Sequence, residues 1–93
     1  MKAIILYKLA AGKTREELME VYPHHRARVD AFVAENKIVS MGAFTERTAD
    51  GIGSMGIFTN KAAAEDFVSA DPFLLEGLVG HYDIAEFNDV IEG

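Results

Sequence analysis

Ninety-three residues leave room for one small domain, taken as 1–93, and apolar residues at 49% suffice for a packed core. Fifteen acidic against nine basic residues give a net charge of −6, which repels phosphate backbones and argues against a nucleic-acid partner. The lack of cysteine removes disulfides and thiolate zinc sites, and it suits a reducing cytoplasm, the expected location.

Lys2 to Leu9 contains the run AIILY with little polar alternation, the pattern of a strand covered on both faces. That run is too short to cross a bilayer, and Met1-Lys2 lacks the form of a signal peptide, so no membrane partner is expected. Ala10 to Lys13 turns about Gly12. Thr14 and Glu17 then have capping-box spacing, each satisfying the other's backbone donor, and start a helix. Pro23 lacks an N–H and predicts a kink or break near Tyr22. Helical spacing nevertheless continues: Leu18, Val21, His25, Val29 and Phe32 form one stripe, and Asn36-Lys37 closes it.

Ile38 to Phe44 reads as the second strand, Asp50-Gly51-Ile52-Gly53 as a turn, and Ser54 to Thr59 as the third strand of a hairpin. Asn60 caps a helix over Lys61 to Ala70, with Ala63, Phe67 and Ala70 inward. Asp71-Pro72 ends it, because the residue before proline is pushed out of the α region. Phe73 to Leu78 adds a further helical turn, and Val79 to Phe87 is the last strand. The order β-α-β-β-α-β predicts a ferredoxin-like α+β fold with helices on one face of a four-stranded antiparallel sheet. Ile5 and Leu6, or Val39 and Met41 against Ile38 and Phe44, cannot all face those helices. The bare apolar face predicts a two-fold homodimer with sheets packed face to face.

His25 lies on the apolar stripe, while His24 diverges from it by about 100°. A buried imidazole needs a partner for its ring N–H. Asp71 is the best candidate, because the dipole at the end of the second helix disfavours a lone carboxylate there. Such a pair would fix the tautomer and free the other nitrogen for proton transfer, or it would only tie two elements together. Tyr7, Tyr22, Phe58 and Phe73 are either core or pocket wall. His24, His25 and His81 lack the spacing of a metal site, and no glycine-rich phosphate loop opens a helix, so neither metal nor nucleotide cofactor is expected.

Three segments, Pro23-His24-His25-Arg26-Ala27-Arg28, Asp50-Gly51-Ile52-Gly53-Ser54 and Ala70-Asp71-Pro72-Phe73 with Gly77, together resemble the YciI-like (YCII-related) family over nearly the whole chain. The resemblance implies a dimeric α+β barrel with a site made by His25, Asp71 and Ser54. Some members of that family are dehydrochlorinases of chlorinated hydroxyquinols. This implies a cofactor-free lyase or isomerase acting on a small cyclic or aromatic molecule. His25 would be the base, Asp71 would orient it, and Ser54 would hydrogen-bond a substrate oxygen. The alternative is a non-catalytic ligand-binding or accessory dimer with a structural His–Asp pair. Where the family often carries an arginine before the proline, this chain has Tyr22, and any anion-binding role would pass to Arg26 or Arg28.

Overall fold

The computed structural model describes residues 1–92. β1 (Lys2–Leu9) lies between β3 (Ile52–Phe58) and β4 (Val79–Phe87), and β2 (Ile38–Ala43) completes the sheet beyond β3. All pairings are antiparallel, and the strand order is β2-β3-β1-β4. With α1 (Arg15–Ala34) and α2 (Lys61–Ser69) as crossovers, this is the ferredoxin-like α+β arrangement. A short α3 (Pro72–Leu75) precedes β4. The predicted hairpin turn is displaced: Ile52 and Gly53 belong to β3, and Gly51, at φ 83°, makes the bend. A residue tolerant of the left-handed region is needed there, so the chain reverses at Gly51 and the strand starts at Ile52, two residues before the expected Ser54.

The capping box at Thr14 is formed as expected, with Glu17 N–H donating to Thr14 Oγ1 and Thr14 N–H to Glu17. The break predicted at Pro23 is absent: helical geometry runs unbroken from Arg15 to Ala34. Pro23 is exposed, so water can satisfy the carbonyl that it leaves without a donor. Asn36 at φ 59° ends the helix in the left-handed conformation that asparagine tolerates better than most residues. Asn60 caps α2 by accepting from Ala63 N–H at 2.8 Å.

Alternation along the central strand sorts the core. Ala3 and Ile5 of β1 and Phe58 of β3 are buried against Phe32 of α1 and Ala63, Ala64 and Phe67 of α2. Ile4, Leu6 and Ile57 occupy the opposite face by the same alternation and are only half-buried. No helix among the described residues is long and apolar enough to cross a membrane.

Beyond β4, Asp89 folds the C-terminal segment back onto β1 through a 2.7 Å ion pair with Lys2, and it also accepts from the amides of Ile91 and Glu92. The Lys2 hydrogen bond is the largest influence lowering the Asp89 carboxyl from 3.8 to about 2, with the two amides adding to it. A carboxyl whose folded value is depressed stabilises the docked segment above its unfolded value, and that contribution is lost as pH falls through the folded one. The 89–92 segment is therefore expected to detach between about pH 4 and pH 2 while the sheet persists. Amide resonances of Ile91 and Glu92 that stay fixed across that window would contradict this.

Candidate active site

The stripe on α1 is not uniformly buried. His25 and Phe32 are, while Leu18, Val21 and Val29 are half-covered. α1 stands off the β2–β3 side of the sheet, leaving a cleft of about 970 Å³ whose walls include Leu18, Val29, Met41 and Phe73. Gly56 on its floor lets the Met41 side chain lie across the sheet, since a Cβ there would meet Met41 Cε at 2.7 Å.

His25 sits at the inner end of this cleft, 8% exposed, with its ring stacked on Phe73 at 4.1 Å between centroids. Its Nδ1 lies 2.7 Å from Oδ1 of Asp71, which has no solvent exposure. A carboxylate only accepts, so Nδ1 carries a proton, and in the neutral imidazole Nε2 then keeps its lone pair. Nε2 has no hydrogen-bond partner among the described residues, and no buried side-chain nitrogen or oxygen there lacks one. Nε2 therefore reaches the solvent of the cleft.

Asp71 is positioned differently from the sequence expectation. It is the N-cap of α3 rather than a carboxylate stranded at the end of α2, and its Oδ1 also accepts from Phe73 N–H at 3.2 Å. The dipole of that turn favours the carboxylate instead of opposing it. Its Oδ2 accepts from the Tyr7 hydroxyl at 2.6 Å, a contact that the sequence reading missed. Alternation supplies the only signal for it, because Tyr7 follows Ala3 and Ile5 onto the helix-facing side of β1. Burial, and then the neighbouring Asp71 charge, push the Tyr7 phenol far above its ordinary value, so it stays protonated and remains a donor.

Ser54 pairs with Tyr7 across β1 and β3, which places it on the same face and in the wall of the same cleft. No hydrogen bond joins it to His25 or Asp71 among the described residues, so the three do not form a nucleophilic relay. Its hydroxyl is free to meet a ligand. Of the two arginines considered for an anion, Arg28 is committed elsewhere: it donates to the carbonyls of Asp66 and Phe67 at the end of α2. Arg26 lines the cleft but is held by Asp30 at 2.9 Å and by the Tyr22 hydroxyl at 3.2 Å.

The YCII-related domain matches residues 1–88. None of the curated proteins matches. Among solved structures, the chain is similar to the 5-chloro-2-hydroxyhydroquinone dehydrochlorinase TftG of Burkholderia phenoliruptrix, solved in complex with 2,5-dihydroxybenzoquinone. That similarity has 24% identity and a TM-score of 0.68, over 95% of this chain and 94% of the other. It is also similar to a variant of SnoaB, a cofactor-independent oxygenase from Streptomyces nogalater, with 14% identity, a TM-score of 0.56 and coverage of 99% and 96%. An antibiotic biosynthesis monooxygenase gives 16% identity, a TM-score of 0.57 and coverage of 96% and 97%. Likeness at these identities is likeness of fold.

Proposed function

This chain belongs to the YCII-related family, and from that premise we propose that it is a cofactor-free enzyme of the lyase or isomerase type, acting on a small cyclic or aromatic molecule. The observation that carries the reading is the 2.7 Å contact from His25 to a fully buried Asp71, which leaves Nε2 directed into the cleft. Nε2 takes a proton from a substrate hydroxyl or ring carbon. The electron pair left behind moves through the conjugated ring to another carbon, which takes the proton back and becomes saturated; where that carbon carries a leaving group, loss of a second hydroxyl proton then expels it. Asp71 stabilises the imidazolium formed in the first step. Ser54 donates to a ring oxygen as negative charge grows there. The planar oxygenated ring bound by the dehydrochlorinase supports a substrate of this kind.

One observation favours a second reading, a non-catalytic ligand-binding or accessory domain. The same His25–Asp71 contact joins α1 to the junction of α2 and α3, as a purely structural tie would. Turnover by the wild-type chain and its loss in His25→Asn separate the two, with 5-chloro-2-hydroxyhydroquinone as the first substrate to assay.

We place the protein in the cytoplasm as one domain over 1–93 and as a homodimer. Ile4, Leu6 and Ile57 give the outer sheet face an apolar centre, and a second copy turned by two-fold symmetry would cover it. Sedimentation at micromolar concentration should therefore give twice the mass of one chain, and Leu6→Arg should give a monomer. A wild-type monomer would remove the dimer from this reading.

A further inference from the structure

The cleft is positively charged in an acidic protein. Four of the nine basic residues line it, Lys8, Arg15, Arg26 and Arg47, and none of the fifteen acidic ones does. Arg26 is paired with Asp30, but Lys8, Arg15 and Arg47 have no ion pair among the described residues. Three elements bring these cations to one end of the sheet. Arg15 is the first residue of α1, Lys8 pairs with Ile52 next to the hairpin loop, and Arg47 belongs to that loop. The Arg47 guanidinium Nε lies 3.9 Å from the position of a Cβ on Gly53, the residue before Ser54. The Lys8–Ile52 pair follows the Tyr7–Ser54 pair along β1, about 3.4 Å away for one strand step.

We propose that the cleft selects small aromatic carboxylates, with the ring against Leu18, Val29 and Met41 and the carboxylate held at the mouth by Arg15 and Arg47. Guanidinium groups match a planar carboxylate with paired donors, and apolar walls beyond them suit a ring rather than a free inorganic anion. The proposal rests on the same cleft being the ligand site, as in the function proposed above, and it concerns what that cleft selects.

The test is titration of the full chain with benzoate, benzamide and inorganic phosphate, followed through the amide resonances of Met41, Gly53 and Ser54. Benzoate should bind about tenfold more tightly than benzamide, and more tightly than phosphate. Arg15→Gln and Arg47→Gln should each reduce that preference several-fold, and the double variant should remove it. Lys61→Gln removes one exposed charge away from the cleft and should change nothing. Equal affinity for benzamide or phosphate, no saturable shift at the cleft, or an effect of Lys61→Gln equal to that of the arginines would overturn the proposal. Binding is read without turnover, so an inert His25 leaves this result standing, and a lost anion preference leaves the proton chemistry standing.

Discussion

Replacing His25 with Asn should lower turnover by about 10²- to 10⁴-fold, the range a positioned acid–base group supplies, while the melting temperature falls by only about 5 °C. The asymmetry follows from where the atoms lie. The amide nitrogen of asparagine occupies nearly the position of Nδ1, so it can still donate to Oδ1 of Asp71, now 2.7 Å from the imidazole. The buried carboxylate keeps its partner. What disappears is Nε2, the one nitrogen open to the cleft, with part of the ring stacked on Phe73. His25→Ala is the contrasting variant, since it removes the donor and the ring together and should cost both activity and stability. Turnover by His25→Asn within about twofold of wild type would transfer the chemistry away from this imidazole, and the structural reading of the pair would then stand.

The fold was legible because its signals are local and redundant: Thr14 with Glu17, Asn60, Asp71-Pro72 and the apolar run of β1 each mark an element without reference to the rest. Pro23 does not break the helix, because that part of α1 faces water, which can take the hydrogen bond that the proline cannot donate. His25 was legible from periodicity alone, and Asp71 was chosen as its partner for a reason that does not hold. The carboxylate caps a helical turn that starts at Pro72, one residue before the expected Phe73, so its capping role was hidden. Tyr7 was beyond reach for a different reason. Alternation gives its face, but its hydrogen bond to a residue 64 positions later depends on how α3 is set against the sheet. The cations of the cleft share that difficulty, because Arg15 and Arg47 reach it only through the placement of α1 over the sheet and of the β2–β3 loop.

Asp71→Ala should be the most damaging single substitution for stability. Asp71 has no exposure and accepts three hydrogen bonds, from His25 Nδ1, Phe73 N–H and the Tyr7 hydroxyl. Truncation leaves the imidazole and phenol as buried donors with no acceptor, uncaps α3 and opens a small cavity. Orphaned buried donors cost about 1–3 kcal/mol each, and a lost cap about 1 kcal/mol, partly overlapping. A net loss of about 3 kcal/mol corresponds to roughly 15 °C in melting temperature for a chain of this size. Asp71→Asn should be much milder in stability, because its oxygen can still accept from His25 and Phe73 while its NH₂ donates to a reoriented Tyr7 hydroxyl. It should still lower turnover, since a neutral amide does not stabilise the imidazolium formed when His25 takes its proton. Tyr7→Phe isolates the third bond: alone it should destabilise by about 1–2 kcal/mol, but on the Asp71→Ala background it should cost almost nothing, because the acceptor is already gone. Additive losses in that cycle would mean that the phenol stabilises the fold through contacts other than the carboxylate, and an Asp71→Ala protein melting within a few degrees of wild type would mean that α1 and the α2–α3 junction are held together by packing alone.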